Sequence, residues 1–491
     1  MRDWLAVRAH ATPEATALVS ADAPDEPVSY AELNDRVETI AGRLAAAGIC
    51  VDDPLAICAG TRSEFVTVVH AAQRLGAVLV PIDARLTDGE IGTRVGRIEP
   101  EAVVCERDTE AAVSTAIDDR PLTLGDPVGD AVALSETTPK PFDLPEWAPE
   151  DPLAVLFTSG TTGEPKGVVL TLGNVLASAT ASAFRLGLSA DDCWHVPLPM
   201  YHTGGLAPVY RSVLYGTSLS IQGEFDPEAT LSALETVGAS AVSLVPTMLD
   251  RLLDAGDLPD LRFVLLGGAP CPPELMSRAQ ERGVPVAPTY GMTEAASQIA
   301  TARPAEARRD PESVGNPLMF AEVSVVDGVG SIQGTGDSGE LVISGPMVTP
   351  GYLDDETTER RFSSLGLRTG DRGYRDEAGR LYVQGRIDDT IVTGGENVAP
   401  AEVATVLREH PAVETCAVVG LPDPEWGQRV GALVVAVEGT APTADELRAH
   451  CRERLAGYKR PRTIRFGDEL PRTASGTVDR DTVVARLSDA E

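Results

Sequence analysis

The stretch FTSGTTGEPKGVV, residues 157–169, has the composition of a phosphate-binding loop. It gathers hydroxyl side chains and glycines around Lys166, in a chain whose other lysines are Lys140 and Lys459. Glycine N–H groups and hydroxyls can surround phosphate oxygens, and a lysine adds a compact positive charge. The spacing is not the Walker pattern, and a solvated hairpin turn would use similar residues, but the rare lysine favours phosphate binding. The expected contacts are Thr158, Ser159, Gly160, Thr161, Thr162, Gly163 and Lys166.

Two further segments place polar groups beside glycine. Asp371 ends the run Thr-Gly-Asp, and its carboxylate can accept hydrogen bonds from two neighbouring hydroxyls at once. In PTYGMTE, Tyr290 offers a flat aromatic face, and Glu294 offers a carboxylate of the kind that holds Mg²⁺. The ordinary alternatives are a Gly-Asp turn and a core tyrosine. Because Tyr290 and Glu294 occur together, we favour a binding site.

The elements that must position these residues alternate along the chain. Short apolar runs are followed by amphipathic segments, as in PLAICAG and EFVTVVHAAQRLGAVLVPI. This alternation is typical of α/β layers, in which ligands bind beyond the strand ends. We predict an α/β fold with a large N-terminal domain of layered mixed or parallel sheets and helices at residues 1–386. A small α+β domain follows at 387–491, and the Asp- and Pro-rich residues 111–150 form a surface excursion.

The composition restricts the partners and the compartment. The chain has 74 acidic and 41 basic residues and a net charge of −33, which argues against nucleic acids and anionic membranes as partners. Dispersed carboxylates with scarce lysine resemble proteins of salt-accumulating halophiles, so we expect KCl to stabilise the fold. Seven scattered cysteines favour reduced thiols. Without a signal-like apolar start or a run of about twenty apolar residues, we expect a cytoplasmic protein.

The motifs resemble, in order along nearly the whole chain, those of the adenylate-forming superfamily: acyl-CoA synthetases, nonribosomal-peptide adenylation domains and luciferases. SGTTGEPKG is similar to its phosphate loop, LPMYHTGGL to its acyl-pocket segment, LLGGAP and PTYGMTE to its adenine and metal motifs. RTGDRGY resembles its ribose-binding segment, GRIDDTIVTGGENVAP its hinge, and GYKRPR with LPRTASG its C-terminal signature. The resemblance implies an enzyme that uses ATP, Mg²⁺ and coenzyme A, with a C-terminal domain that moves between two half-reactions.

The same resemblance assigns roles to single residues. It implies Lys166, Thr293, Glu294 and Arg386 as catalytic residues, with Glu294 as the metal ligand. It implies Asp388 as the hinge and Gly394 and Gly395 as the lining of a tunnel for the CoA thiol, where an ordinary β-turn is the alternative. The remaining expected ATP contacts are Gly268, Ala269, Tyr290, Gly291, Thr293, Asp371 and Arg386.

The main departure from the family lies in the C-terminal signature. The family usually has a lysine after the glycine of this motif, which reaches the substrate carboxylate and the α-phosphate, whereas PRTASGTVDR has Thr477. Threonine cannot supply that positive charge. We therefore expect a weak first half-reaction, a rescue by Arg472 or Arg480, or a protein that only binds adenylate or performs the second step. Lys459 matches the family's YK-x-P element and is expected to be structural.

The acyl substrate is indicated by two features. Arg211 interrupts the apolar run GGLAPVYRSVLYG and requires a partner, which is equally well an internal carboxylate or a ligand. The run YGMTEAASQI is similar to that of o-succinylbenzoate–CoA ligases of menaquinone biosynthesis, whose serine and glutamine border an aromatic acyl pocket. The resemblance implies a small aromatic dicarboxylate, with Arg211 on the carboxylate that does not react. The expected acyl contacts are His202, Thr203, Arg211, Gly268, Ser297 and Gln298.

Other functions remain compatible with these motifs. A general medium-chain or aryl acyl-CoA synthetase would share them without a requirement for a second carboxylate. An enzyme that loads a carrier-protein arm would share the adenylation step. A non-catalytic adenylate-binding protein would explain Thr477, although the motifs around Lys166, Glu294 and Asp371 favour an enzyme.

Overall fold

The structure, a computed structural model, combines helices and strands along the whole chain. It describes residues 3–158, 165–387, 389–393, 396–398, 400–424, 426–455, 457–473 and 477–488. In chain order the helices are α1 Trp4–Ala11, α2 Tyr30–Ala46, α3 Ser63–Leu75, α4 Asp88–Ile98, α5 Glu110–Ala116, α6 Leu172–Leu186, α7 Thr203–Tyr215, α8 Pro227–Thr236, α9 Pro246–Ala255, α10 Pro273–Glu281, α11 Pro304–Ala307, α12 Asp355–Arg361, α13 Pro400–Arg408, α14 Ala444–Arg454 and α15 Arg480–Ser488.

The strands are mostly short and rich in Val, Ile, Leu and Ala. In chain order they are β1 Thr16–Ser20, β2 Ala23–Ser29, β3 Pro54–Cys58, β4 Val78–Ile82, β5 Ala102–Cys105, β6 Leu122–Thr123, β7 Val132–Ala133, β8 Pro152–Thr158, β9 Lys166–Thr171, β10 Cys193–Val196, β11 Ser218–Ile221, β12 Ala241–Leu244, β13 Phe263–Leu266, β14 Val286–Met292, β15 Ser297–Thr301, β16 Asn316–Pro317, β17 Glu322–Val326, β18 Gly339–Ser344, β19 Gly351–Tyr352, β20 Phe362–Ser363, β21 Gly366–Arg375, β22 Leu381–Arg386, β23 Ile391–Thr393, β24 Glu396–Val398, β25 Val413–Asp423, β26 Gly427–Ala436 and β27 Thr463–Phe466.

Two large sheets carry the N-terminal motifs. In the described residues, one has the order β16-β15-β14-β13-β12-β10-β11-β1-β2 and the other β19-β9-β8-β4-β3-β5-β6-β7. Strands β10 to β14 pair in parallel, whereas β14 and β15 form an antiparallel pair, as do β8 and β9. Two smaller sheets have the orders β17-β18-β21-β20, with β22 on β21, and β24-β23-β26-β25, with β27 on β26.

Apolar strands and amphipathic helices form the core around these sheets. Every residue of β4 is buried, as expected for a strand with helices on both faces. Helix α4 packs Ile91 and Val95 against the core formed by β3, β4 and β5. A capping box between Thr87 and Glu90 starts this helix and fixes its first turn. The outer face of α4 is therefore presented from a well-anchored helix.

The chain forms two compact units. The first comprises Met1–Val323, Ile343–Leu367 and Gly379–Leu381, and the second comprises Ser324–Val342, Arg368–Ala378 and Tyr382–Glu491. Strands β8 and β9 stand on either side of the expected phosphate loop. In the second unit, α13, β25, β26 and α14 follow one another along the chain, which agrees with the predicted α+β domain. The boundary after residue 386 stays a prediction.

The interpretation of residues 111–150 as a surface excursion is incomplete. Strands β6 and β7 in this segment extend a large sheet in parallel. The buried Glu110 carboxylate accepts hydrogen bonds from the backbone N–H groups of Val128, Gly129 and Ala131. Two-residue strands have no readable periodicity, and a carboxylate that satisfies three distant N–H groups leaves no local pattern in the sequence.

All seven cysteines are unpaired thiols, as predicted. Most of them are buried, and Cys50 is exposed. Burial raises the pKa of Cys58 and Cys105 to about 12, so both remain protonated. In the part of the chain that the structure describes, no helix is both long and apolar enough to cross a membrane.

Candidate functional site

The phosphate loop connects two paired strands. The antiparallel ladder of β8 and β9 ends at the pair of Thr158 and Lys166, and the Thr158 hydroxyl lies 3.5 Å from the Lys166 carbonyl oxygen. Lys166 is therefore the first residue of β9, at the point where the chain re-enters the sheet. The expected donors Ser159, Gly160, Thr161, Thr162 and Gly163 lie outside the described residues.

Glycine allows a close contact directly after Lys166. A Cβ atom built on Gly167 would lie 2.5 Å from Cδ1 of Leu353, and the Leu353 N–H donates to the Gly167 carbonyl at 2.9 Å. A larger residue at 167 would push Leu353 away. The close packing against Leu353 therefore explains why residue 167 is glycine, independently of the phosphate binding expected of the neighbouring loop.

The metal motif forms a tight turn between β14 and β15. A short 3-10 turn at Thr293–Ala295 follows Tyr290 and Gly291, and Ser297 has a φ of 123°. A Cβ atom on Gly291 would lie 1.9 Å from the Ser297 carbonyl oxygen. Because that oxygen belongs to the backbone, the turn requires glycine at 291. Strand β14 and the turn thereby hold the expected residues from Tyr290 to Ser297 in one short segment.

Glu294 is buried and held by a tyrosine. Its side chain is almost completely enclosed, with 7% exposure, and Oε1 accepts a hydrogen bond of 2.8 Å from the Tyr352 hydroxyl. The Thr349 N–H donates to the Glu294 backbone carbonyl at 2.7 Å. Burial and the Glu294 carboxylate raise the pKa of Tyr352, so the phenol stays protonated and donates. The second carboxylate oxygen of Glu294 is suited to a hard cation.

The adenine-side strand end also has the expected form. Gly268 and Ala269 follow β13, both are exposed, and Gly268 adopts a left-handed φ of 80°. A Cβ atom at Gly268 would lie 3.2 Å from the Val245 side chain, so a substitution would be strained in conformation and tight in space. The segment lies at the carboxyl end of a parallel strand, where α/β sheets bind ligands.

The expected acyl residues divide between the two ends of α7. His202 precedes the helix, Thr203 begins it, and Arg211 lies nine residues after His202. Since a helix rises 1.5 Å per residue, His202 and Arg211 are separated by roughly 13 Å along the axis. Burial lowers the pKa of His202, which favours its neutral form. The structure therefore does not bring these two expected contacts together.

Arg211 forms hydrogen bonds with two side chains, those of Gln298 and Ser178. Its Nη1 donates to Gln298 Oε1 and its Nη2 donates to Ser178 Oγ, both at 3.1 Å. Arg211 as a whole is only 2% exposed. Within the described residues, no carboxylate lies within ion-pair distance of it, and burial lowers its pKa. The sequence left an internal acid and a ligand as alternatives, and these contacts leave a positive charge for an anionic ligand to neutralise.

Asp371 and Arg386, in the second unit, form an ion pair. Arg386 Nη1 lies 3.2 Å from Asp371 Oδ1 and donates to the Thr369 carbonyl at 3.0 Å. The Asp371 N–H donates to the Thr369 hydroxyl at 3.0 Å. Strand β22 pairs with β21, which sets Arg386 beside the Thr-Gly-Asp run. The expected hinge residue Asp388 and the expected tunnel glycines Gly394 and Gly395 lie outside the described residues.

The C-terminal signature contains a pair of hydroxyls. Thr477 Oγ1 lies 2.7 Å from Thr473 Oγ1, and the Thr473 N–H donates to the Thr477 carbonyl at 2.7 Å. Lys459 Nζ contacts both carboxylate oxygens of Glu402, at 2.7 and 2.8 Å, which agrees with the structural role expected for it. Arg480, one of the expected substitutes for the family lysine, pairs with Asp389 at 2.5 Å.

The sequence did not point to two partners of these residues. Tyr352 lies 58 residues after Glu294, and Ser178 lies 33 residues before Arg211. Ser178 is a small polar residue on the apolar helix α6, and such a residue is only a weak indication of a buried polar contact. Tyr352 follows a glycine in GYL and has no local signal of its own.

The comparisons with known proteins agree with this geometry. Residues 5–353 match the model of the AMP-binding enzyme family, and residues 402–477 match the AMP-binding enzyme C-terminal domain. The chain belongs to the AMP-binding enzyme family. The family assignment confirms the resemblance seen in the motifs and the α/β fold with a large N-terminal and a smaller C-terminal domain.

Two relatives of this AMP-binding enzyme are informative, one of them in two solved structures. A 2-succinylbenzoate–CoA ligase from Geobacillus kaustophilus is 41% identical over 484 residues, which cover 97% of this chain and 96% of the relative. The o-succinylbenzoate CoA synthetase of Bacillus subtilis in complex with the acyl-adenylate intermediate OSB-AMP is 34% identical, with a TM-score of 0.91 and coverage of 100% and 99%. A structure of the Bacillus subtilis protein with ATP and magnesium ion is 33% identical, with a TM-score of 0.88 and full coverage of both chains.

Proposed function

We propose that this AMP-binding enzyme is an acid–CoA ligase that converts o-succinylbenzoate into its CoA thioester in menaquinone biosynthesis. The relatives at 41% and 34% identity act on or bind this acid. The observation that carries the proposal is Arg211, which is buried without a carboxylate partner among the described residues. A dicarboxylic acid can react through one carboxylate and neutralise Arg211 with the other.

The reaction proceeds in two displacements. A carboxylate oxygen of the acid attacks the α-phosphorus of ATP, and pyrophosphate leaves. The sulfur of coenzyme A then attacks the acyl carbon, AMP leaves, and the thiol proton passes to solvent. Both steps depend on neutralising charge rather than on an enzyme nucleophile. The protein's part is therefore to bind and orient anions, and Mg²⁺ supplies further positive charge to the phosphates.

We assign the roles of single residues on the same basis. Lys166 contacts phosphate, Glu294 holds Mg²⁺ and is oriented by the Tyr352 hydroxyl, and Asp371 accepts the ribose hydroxyls. The remaining proposed ATP contacts are Thr158, Ser159, Gly160, Thr161, Thr162, Gly163, Gly268, Ala269, Tyr290, Gly291, Thr293 and Arg386. Gly394 and Gly395 are proposed for CoA and Asp388 for the hinge. We further propose that the enzyme works in the cytoplasm.

For the acid, we propose two groups of contacts. Arg211, Gln298 and Ser297 recognise the carboxylate that does not react, and Gly268 leaves room for the ring. His202 and Thr203, at the other end of α7, are assigned to the reacting side of the acid. A half-buried neutral imidazole is compatible with this place, because burial lowers the pKa of His202.

An assay across acids tests the proposal. Thioester formation with ATP, Mg²⁺ and coenzyme A is measured for o-succinylbenzoate, benzoate and octanoate, and pyrophosphate is followed in parallel. We expect selective turnover of o-succinylbenzoate. Efficient turnover of benzoate or octanoate instead would make the protein a general aryl or medium-chain acyl-CoA synthetase.

One observation favours a second candidate function. Thr477 contacts Thr473 and stands where the family usually has lysine, which would suit a protein that binds adenylate without forming it. The parallel pyrophosphate measurement separates the two candidates. Absence of pyrophosphate with every acid, together with tight binding of AMP, would support the second function.

A further inference from the structure

Two arginines of α4 contact the hairpin formed by β8 and β9, the strands on either side of the proposed phosphate loop. The guanidinium carbon of Arg94 lies 5.9 Å from the ring centroid of Phe157, the penultimate residue of β8. Arg97 Nη1 donates a hydrogen bond of 2.7 Å to the carbonyl oxygen of Pro165, directly before β9. Residues three apart on a helix lie on the same face. One face of α4 therefore touches the hairpin just before and just after its connecting loop.

The helix that carries these arginines is firmly held. Ile91 and Val95 pack into the core of β3, β4 and β5. Glu90 accepts hydrogen bonds from the N–H and the hydroxyl of Thr87, and its own carbonyl accepts one of 3.0 Å from Arg94. The two guanidinium groups thus extend from a fixed support rather than from a surface loop.

The bond to Pro165 has a particular consequence for Lys166. The Pro165 carbonyl belongs to the peptide unit that joins Pro165 to Lys166, and the N–H of the same unit is that of Lys166. Since a peptide unit is planar, fixing this oxygen fixes the plane from which Lys166 begins. On the opposite strand, Thr158 pairs with Lys166 and so restrains the Lys166 backbone as well.

We propose that Arg97, supported by Arg94, is a positioning residue for ATP: it fixes the Pro165–Lys166 peptide and so orients the Lys166 ammonium toward the phosphates. This inference rests on the proposed phosphate-binding role of Lys166. The acyl contacts Arg211 and Gln298 lie on α7 and β15, so a change at Arg97 should alter the handling of ATP and leave the acid site unchanged.

Three substitutions of Arg97 separate the hydrogen bond from the charge. Arg97→Ala removes both, Arg97→Gln retains a donor without the charge, and Arg97→Lys retains both. Because one exposed hydrogen bond contributes modestly, we expect Arg97→Ala to raise KM for ATP and Kd for ATP–Mg²⁺ about three- to tenfold. The KM for the acid should not change, and Arg97→Gln and Arg97→Lys should each recover at least half of the effect.

Arg303→Ala is the matched control. Arg303 is also an exposed arginine that donates to a distant carbonyl, that of Arg185, at 3.0 Å. It should leave both ATP constants within twofold of the unsubstituted protein. An unchanged Kd for ATP in Arg97→Ala, at an unchanged unfolding temperature, would overturn the inference. So would a pattern in which Arg97→Lys retains affinity and Arg97→Gln loses it, because charge would then act alone.

Measuring Kd for ATP–Mg²⁺ allows a failure of the Arg97 inference to be distinguished from a failure of the proposed function. If the unsubstituted protein forms no thioester from any acid, the ligase proposal fails, while Kd for ATP–Mg²⁺ still reports on Arg97. If Arg97→Ala does not fold, Arg97→Met replaces it under the same two criteria, because methionine also lacks the donor and the charge but keeps an unbranched side chain.

Discussion

At the scale of single residues, Thr477 is the main departure from the family's motifs. Thr477 contributes a hydroxyl that lies 2.7 Å from the Thr473 hydroxyl, where the family usually has a lysine near the reacting phosphate. The other lysine of this region, Lys459, is occupied by both oxygens of Glu402. Neither residue supplies a mobile cation. The first half-reaction therefore depends on positive charge from elsewhere, and Lys166 is the first candidate.

We predict that Thr477→Lys accelerates adenylation. A cation directed at developing charge on phosphate typically contributes a factor of about ten to a thousand, so pyrophosphate release should rise about tenfold or more. The measurement is the single-turnover rate of pyrophosphate release with o-succinylbenzoate and saturating ATP.

Thr473→Lys is the control for this change, because it adds the same charge to the same segment four residues earlier. It should give no acceleration. An equal rate in Thr477→Lys and the unsubstituted protein would show that another group already supplies the charge.

The sequence indicates which residues are candidates for the site, but it does not indicate which side chains contact them. Lys166, Glu294 and Asp371 stand in motifs with local spacing, so their candidacy could be read directly. The contacts of Glu294 with Tyr352 and of Arg211 with Ser178 depend on packing between distant segments. Such tertiary contacts have no signature in a single chain. For the same reason the approximate distance between His202 and Arg211 became apparent only from the helix that separates them.

At the scale of elements, tight turns position the site between well-anchored strands. The turn between β14 and β15 combines Gly291, the 3-10 turn at Thr293–Ala295 and a φ of 123° at Ser297. From the sequence, Gly291 is expected only as an ATP contact, whereas the structure shows the backbone contact that excludes a side chain. The short strands β6 and β7 were missed, because their pairing is set by neighbours in space.

We predict that Gly291→Ala is strongly destabilising. The added Cβ would lie 1.9 Å from the Ser297 carbonyl oxygen, so the backbone of the turn must move, at a cost of about 3 kcal/mol. Thermal unfolding followed by circular dichroism measures the effect, and loss of activity should accompany it.

For the control substitution Gly89→Ala, we expect no loss of stability. Gly89 lies in the first turn of α4 and a Cβ there would meet nothing within 4 Å. Alanine should therefore leave the stability unchanged or raise it by up to about 1 kcal/mol. Equal unfolding temperatures for the two alanine variants would contradict the role assigned to Gly291.

At the scale of the whole molecule, two histidines are buried within the first unit of a chain with a large net negative charge. His70 is 2% exposed and packs edge-on against Tyr210, and His195 is completely buried between Ser220 and Gln222. Burial lowers the pKa of each to about 4. The net charge of −33 adds mutual repulsion, and the stabilisation by KCl stays a prediction.

We predict a loss of stability between pH 6.5 and pH 4. Both imidazoles remain neutral in the folded protein down to about pH 4, whereas in the unfolded chain they take up protons below about 6.5. The unfolded state therefore binds more protons in this range, and the free energy of unfolding falls as the pH falls, by up to about 3 kcal/mol for each histidine. Denaturant unfolding at a series of pH values measures this slope.

His70→Gln should make the pH dependence less steep, because a group that titrates only in the unfolded state is removed. His10→Gln, at an exposed position, is the control and should leave the slope unchanged. An unaltered slope in His70→Gln would show that His70 does not remain neutral in the folded protein.

The most direct test of the account is the selectivity of an Arg211→Met variant. The kcat/KM for o-succinylbenzoate and for benzoate is measured with the unsubstituted protein and with the variant. A buried guanidinium that binds the second carboxylate contributes about 2–4 kcal/mol, so the preference for o-succinylbenzoate should fall about thirtyfold or more while benzoate is little affected. An unchanged ratio of the two kcat/KM values in the variant would contradict the assignment of Arg211 and the proposed dicarboxylate substrate.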